Sequence, residues 1–343
     1  PHVAPMLDLL GADDLAVVSA TPVESIVYRL ELTAGGRRFF AKWKPIGKGG
    51  SEMQDGFDGN NSPRCEVAAW RLNQLLFGEQ DTAHHLVAPV VVRAFHRDVP
   101  CARACARLPR WPRELAPAPQ ATFPELNDHL VLGALTWWIE GVEIVSAFHG
   151  GLWDRPRFDA SPAYRRRFSD LAIFLYIEHH GDANYDHNFL SHVPTFDLIY
   201  SIDNGRAFDG VAFYTPHGDP DWAPFARLGP TRLVAPAFAR ATAKRVASLL
   251  RAELHERLRV TIAVRTDSGQ VMMPPAPPPS VVPAFRAGKS NGERIGRGLW
   301  RVNENGVTWL LWGISDEGID ETLARIDALR RELARPGTVL FAE

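Results

Sequence analysis

The 343-residue chain is poor in the features that would place it in several large classes. It has three cysteines, four methionines, no internal repeat and no excess of one charge. An odd cysteine count without metal-type pairing favours reduced thiols over a disulfide framework. Cys101 and Cys105, four positions apart, could still bridge in an oxidising compartment, whereas Cys65 sits in an apolar helical stretch and reads as buried. The longest apolar candidate, Leu171 to Ile177, ends in Glu178-His179-His180. It falls well short of the roughly 18–20 residues of a membrane span, so no integral membrane segment is expected. A formal net charge of −2 removes any general argument for nucleic acid or anionic lipid as a partner.

What is present is the composition of a globular enzyme: 45% hydrophobic and 23% charged residues, enough for two lobes around a large core. No signal-peptide pattern is found and the chain opens on Pro1. A cytoplasmic setting is the expectation, with a secreted or periplasmic one the alternative if a leader has been removed.

The first part reads as strands: residues 15–18, 25–32 and 38–44 are apolar, β-branched runs, with a turn at Ala34-Gly35-Gly36. Residues 48–63 are glycine-rich and polar, a loop. The spacing of Val67, Leu72, Leu75 and Leu76 predicts a helix over 64–77 closed by Gly78. Proline-rich 108–118 reads as an exposed connection, and apolar, turn-bounded 131–141 as a link between lobes. Helices are predicted over 163–178 and 236–258. Beyond residue 259 come a hairpin through Asp267-Ser268-Gly269, a proline-rich linker over 273–283, a second hairpin around Asn303-Glu304-Asn305-Gly306, and a closing helix carrying Ile319, Leu323, Ile326, Leu329 and Leu333. The expected fold is α+β, divided as 1–140 (small, β-rich), 141–258 (mainly helical, bearing acid loops) and 259–343 (a C-terminal extension).

The chemistry concentrates in His179-His180-Gly181-Asp182-Ala183-Asn184-Tyr185-Asp186-His187-Asn188, followed by a short apolar strand over 198–202 and then Asp203-Asn204-Gly205. An acid to orient an acceptor hydroxyl, an amide or acid on one metal ion, and a second acid bridging metal to ATP phosphates is the order that phosphoryl transfer needs. Asp203 ends an apolar strand, where a carboxylate without a cation or donors would cost several kcal/mol. An Asp-Asn-Gly hairpin turn is the structural alternative. The same chemistry needs a cation on the phosphates. Lys42 and Lys44 project to one face of a strand, and Glu66 opens the following helix, where its carboxylate can pair with them. His179, His180, His187 and His192 lack metal-ligand spacing and read as residues that orient the aspartates.

These segments carry a resemblance. Trp43-Lys44-Pro45-Ile46 is similar to the aromatic-Lys-Pro strand end of type II phosphatidylinositol 4-kinases and of the Golgi casein kinase (secretory-pathway kinase) family, which implies that Lys44, in preference to Lys42, contacts ATP. Arg64-Cys65-Glu66-Val67-Ala68-Ala69-Trp70 resembles the start of the helix bearing the paired glutamate in the Golgi casein kinase family. Ile202-Asp203-Asn204-Gly205 is close to the metal motif of both families. The matching segments run in the same order across residues 25–260. They imply a bilobal kinase-like fold, ATP with Mn²⁺ or Mg²⁺, and a protein Ser/Thr or saccharide hydroxyl as acceptor. Asp182 is then the catalytic base and Asp203 a metal ligand.

Two departures stand out. No Gly-x-Gly-x-x-Gly loop is present, only Ser19-Ala20-Thr21-Pro22. In those kinases the base and the next metal ligand stand five apart, but here that position is His187; Asp186 and Asn188 lie four and six after Asp182. Asn188 is the expected metal ligand; the alternatives are Asp186 in that role, or Asp186 rather than Asp182 beside the acceptor. His180-Gly181-Asp182 also resembles the catalytic start of aminoglycoside and choline phosphotransferases, which leaves a small-molecule kinase open. HipA-type kinases share the architecture. A pseudokinase scaffold or an AMP-transferring enzyme completes the alternatives.

Three further stretches read as structural. Trp300, Trp309 and Trp312 are expected to be the core of their own hairpin unit, a substrate-recruiting tail being the lesser reading. Arg165-Arg166-Arg167 reads as a solvated face and His84-His85 as a surface pair.

Overall fold

The computed structural model describes residues 3–24, 27–45, 63–78, 85–96, 98–101, 130–145, 152, 154–180, 188–208, 235–265, 271–272, 293–296, 299–314 and 316–342. The fold is α+β, with a sheet-rich N-terminal part and helices following it. Helix α1 (Val3–Gly11) precedes strands β1 (Ala16–Glu24), β2 (Val27–Ala34) and β3 (Arg37–Pro45). Helix α2 (Pro63–Phe77) is followed by β4 (Val90–His96) and β5 (Leu130–Trp137). The five strands make one antiparallel sheet in the order β1-β2-β3-β5-β4. The run expected to link two lobes is therefore mostly a central strand. Its apolar residues are needed because β5 is flanked on both sides, by β3 and β4.

Alternation along β3 separates two environments. Phe39, Ala41 and Trp43 point into a small core with Leu10 of α1, Leu30, Leu32, Val91, Phe95 and Leu135. Lys42 and Lys44 take the other face, as the two-residue period requires. Phe39 stacks on Trp137 at 5.0 Å, and Trp43 meets Phe95 edge-on at 5.4 Å.

The second, larger core is built on α2 and α4 (Pro162–Glu178), which follows the short α3 (Arg155–Ala160). Ser161 caps α4 by accepting from the Tyr164 amide, and Pro162 occupies the first turn, where its missing N–H costs nothing. Strands β6 (Glu143–Ile144), β7 (Phe189–Ser191) and β8 (Ile199–Ser201) form a small antiparallel sheet beside the end of α4.

The helix expected over 236–258 is interrupted. Residues Phe238–Ala239 are a short strand, β9; α5 covers Arg240–Ser248 and α6 covers Arg251–Arg257. At the break Leu250 is extended and exposed, and its amide donates to the Glu253 carboxylate at 2.9 Å, a capping bond that restarts the helix. Helical periodicity continues across such a break, which is why spacing alone misses it.

Beyond residue 258, β10 (Arg259–Arg265), β11 (Val271–Met272), β12 (Glu293–Gly296), β13 (Leu299–Glu304) and β14 (Val307–Gly313) form a second five-stranded sheet. Asn305 and Gly306 both have positive φ, 51° and 73°, as a two-residue hairpin turn demands. The turn of the first expected hairpin, the 273–283 linker, and residues 48–62 and 108–118 lie outside the described residues, as does Cys105. Cys65 and Cys101 are buried. Helix α7 (Asp316–Leu333) closes the chain before β15 (Leu340–Phe341), which pairs in parallel with β9. Ile319, Ile326 and Leu329 enter the same core as α2 and α4, and α7 packs across α4, α5 and α6. No helix among the described residues is long and apolar enough to cross a membrane.

Gly133 of β5 lies directly opposite Pro45 and beneath Trp43. A Cβ there would meet the Lys44 carbonyl oxygen at 2.5 Å, Trp43 Nε1 at 2.8 Å and Pro45 Cα at 2.9 Å. Two of these are backbone atoms and cannot swing aside. Gly133→Ala should therefore destabilise the protein by about 1–3 kcal/mol through forced displacement of β3. Urea unfolding checks this, and an unchanged midpoint would contradict the close approach.

Candidate functional site

Three segments distant in sequence meet at Lys44. Its Nζ donates to Glu66 Oε1 at 2.8 Å and to Asp203 Oδ1 at 2.6 Å, bridging β3, α2 and the turn after β8. Lys42, two residues earlier on the same face, reaches Glu66 Oε1 at 3.3 Å. The second Glu66 oxygen accepts the Asn204 amide at 3.3 Å, so one carboxylate holds both lysines and the Asp203 turn. Lys44 and Glu66 are buried, while Asp203 is about one-third open. Of the two strand lysines, Lys44 is the one enclosed among the acids.

Electrostatics follow from that enclosure. Burial alone would lower the Lys44 ammonium, but the Asp203 and Glu66 carboxylates offset it and hold the group above the usual lysine range. Burial alone would raise Asp203; Lys44 and then Lys42 hold it well below the usual carboxylate range. Glu66 is lowered by the same two lysines, against its burial. All three groups are charged at neutral pH. Removing one member would strand the others, which for buried pairs costs roughly 3–5 kcal/mol.

Backbone geometry presents Asp203. Its φ of 56° and ψ of 47° put it in the left-handed region, which Asp and Asn tolerate better than other side chains. A one-turn 3-10 helix, Asn204–Arg206, follows and is braced by Ser201 Oγ donating to Asn204 Oδ1 at 2.8 Å. Asn188 stands at the matching end of the β7–β8 pair: its carbonyl accepts the Ile202 amide at 3.0 Å, and its side chain is buried. Asn188 and Asp203 thus leave adjacent strand ends. Their carboxylate and amide oxygens are hard donors of the kind that suit Mg²⁺ or Mn²⁺ shared with phosphates. Among the described residues no group of three or more His, Cys, Asp or Glu is arranged to hold a metal ion by itself. Asp182 and Asp186 lie outside the described residues.

The end of α4 carries two of the histidines expected to orient the aspartates. His179 terminates the helix in the left-handed conformation, its amide donating to the Leu175 carbonyl. His180 Nε2 lies 3.2 Å from the Ile202 carbonyl, and the Phe208 amide donates to the Glu178 carbonyl at 2.6 Å. The end of α4 is therefore tied to both flanks of Asp203. Burial, then Arg325 and His180, push His179 down to about 4, so its imidazole is neutral at physiological pH.

Glu178 is fully buried, and neither of its carboxylate oxygens has a hydrogen-bond partner among the described residues. Burial, reinforced by Glu66, raises it well above the ordinary glutamate value; Arg325 opposes this only in part. Its sequence signal was a single acid ending the apolar run Leu171–Ile177. On the sheet face carrying Lys42, Arg29 stands directly opposite and stacks over Phe40 at 4.0 Å and Trp138 at 5.0 Å.

Two surface expectations are corrected. His85 is buried edge-on against Trp70, with Nε2 2.8 Å from the Gly78 carbonyl. Arg167 is buried as well and donates to the His85 carbonyl at 3.0 Å and the Asp197 carbonyl at 3.3 Å. Three consecutive helical positions span about 200°, so one arginine of the run had to face inward. Trp309 is half-buried, while the side chains of Trp300 and Trp312 lie outside what is described.

No protein-family model matches this chain, and no curated protein matches it either. The functional case rests on the site.

An unfolded-chain glutamate ionises near about 4.3, whereas native Glu178 keeps its proton to higher pH. Above that value the native state binds the extra proton, so this group's contribution to stability falls as pH rises. Glu178→Gln keeps the shape and removes the titration. Measured by denaturant unfolding, the variant should gain on the native protein as pH rises above about 4.3, by up to ~1.4 kcal/mol per pH unit until the native carboxyl ionises. A difference that does not change with pH would contradict a protonated Glu178.

Proposed function

We propose that the chain is an ATP-dependent phosphotransferase that moves the γ-phosphate to a hydroxyl acceptor, protein Ser/Thr or saccharide. The observation that carries this reading is Lys44, held at 2.8 Å by a glutamate of the next helix and at 2.6 Å by the aspartate of an Asp-Asn-Gly turn. Protein kinases use a lysine on the third strand, a glutamate on the helix after it and a metal-binding aspartate in this relation. The strand order β1-β2-β3-β5-β4, with α2 between β3 and β4, also suits a kinase-like small lobe.

In this reading Lys44, positioned by Glu66, receives nucleotide phosphates, and Lys42 adds a second cation on the same face. Asp203 and Asn188 would hold Mg²⁺ or Mn²⁺, which supplies charge neutralisation between the phosphates. Asp203 now spends one oxygen on Lys44; with nucleotide bound, that ammonium turns toward phosphate oxygens instead. Asp182 accepts the acceptor's hydroxyl proton as the oxygen attacks phosphorus. His180, anchored on the Ile202 carbonyl, would orient the chain that leads to Asp182.

The test is ³¹P NMR of ATP incubated with Mn²⁺ or Mg²⁺ and the protein, beside Asp203→Ala. ADP formation should require the metal and fall by at least about 100-fold in the variant. Release of pyrophosphate would replace phosphate transfer by AMP transfer. No turnover by native protein, with or without an acceptor mixture, would overturn the reading in favour of a binding scaffold.

A further inference from the structure

The C-terminal helix sends one buried side chain to the threshold of the site. Arg325 of α7 donates from Nε to the Ile177 carbonyl at 2.9 Å, in the last turn of α4. Its Nη2 donates to Thr322 Oγ1 at 3.0 Å, and Thr322 Oγ1 donates to the Gly318 carbonyl at 2.7 Å, so the guanidinium is aimed by its own helix. Thr322 is fully buried and Arg325 nearly so. A cation at a helix C-terminus both satisfies a carbonyl left without an intrahelical partner and complements the negative end of the helix dipole.

That helix end is no ordinary terminus. The carbonyl after Ile177, of Glu178, accepts the Phe208 amide beyond the Asp203 turn, and the Leu175 carbonyl takes the His179 amide. The next ring, His180, sits against the Ile202 carbonyl. Three anchors therefore converge on the last turn of α4: its own cap, the Asp203 turn and Arg325. Only Arg325 comes from beyond residue 258. The same extension touches the Glu66 helix, since β10 and β14 pack on α2.

We propose that Arg325 is a positioning residue for phosphoryl transfer. It fixes the end of α4 against the Asp203 turn. The C-terminal extension is on this account a built-in brace of the catalytic geometry rather than a tail that recruits substrate. The proposal rests on the phosphotransferase reading, and it separates two quantities. Arg325 bonds to the end of α4 and to its own helix, whereas Lys44, positioned by Glu66, and Asp203, through the cation, serve the nucleotide, so binding and turnover respond differently to its loss.

The experiment compares native protein with Arg325→Met and Arg325→Lys. It measures metal-dependent ATP turnover, the ATP dissociation constant, and hydrogen exchange of the His179, His180 and Phe208 amides. Arg325→Met should lower kcat by about 10- to 100-fold, as a misplacement of roughly 1 Å does, with the dissociation constant within about twofold. Exchange should quicken at the three amides and stay unchanged in α2, and the lysine should restore most of both effects. Unchanged kcat and exchange in Arg325→Met would overturn the proposal. Equal losses of binding, turnover and protection across the molecule would overturn it too, by reducing Arg325 to a general stabiliser. Should native protein turn over no ATP while the local exchange effect appears, the phosphotransferase reading fails and the bracing of α4 stands.

Discussion

Everything at the site depends on one ammonium shared by two carboxylates. Lys44 is buried, and a buried lysine without partners would lose its proton or unfold its surroundings. Glu66 and Asp203 prevent both, and each comes from a different part of the chain. The requirement runs in both directions, because the two acids are also enclosed and repel one another. Satisfying the three charges fixes the separation of β3, α2 and the β8 turn to within hydrogen-bond tolerance. With Lys42 also on Glu66, two ammonium groups balance two carboxylates; under the proposed function Asp203 would exchange Lys44 for a divalent cation.

Around that centre the helices are locked end to side by arginines. Arg245 of α5 donates to the Leu75 carbonyl at 2.5 Å, near the end of α2. Arg325 of α7 takes the end of α4, and Arg330, one turn further along, donates to the Val246 and Leu249 carbonyls at the end of α5. Arg167 of α4 reaches the His85 carbonyl in the segment after α2. The bonds to Leu75 and Ile177 satisfy acceptors that helix termination leaves open and place positive charge where the dipole favours it. Helix ends therefore become fixed points of the structure.

Much of this was legible in the sequence, for physical reasons that differ from residue to residue. The period-2 alternation around Lys42 and Lys44, and the helical spacing after Glu66, are local signals, and the structure brings all three residues together with Asp203. Asn188 was expected near Asp203, and backbone pairing of the two strand ends places it there. The helix over 162–178 and the α+β order were likewise readable from local pattern. Other features depend on contacts between distant residues. That Arg167 and His85 are interior, that β5 is a central strand, and that α5 and α6 part at Leu250 follow from tertiary packing. Glu178 and Arg325 are ordinary helix residues by propensity; only their burial against one another's helices gives them meaning. The acid segment at Asp182 and Asp186 lies outside the described residues, so the choice between Asp186 and Asn188 rests on the strand pairing of Asn188 alone.

The central claim is that the Lys44–Glu66–Asp203 cluster is a site for metal-bound nucleotide. Its most direct measurement is calorimetric titration of ATP into the folded native chain, once with Mn²⁺ and once with EDTA. The account predicts saturable binding that tightens markedly when the metal is present, because Asp203 contributes only through the cation. Failure of the folded protein to bind ATP, or binding indifferent to the metal, would contradict it.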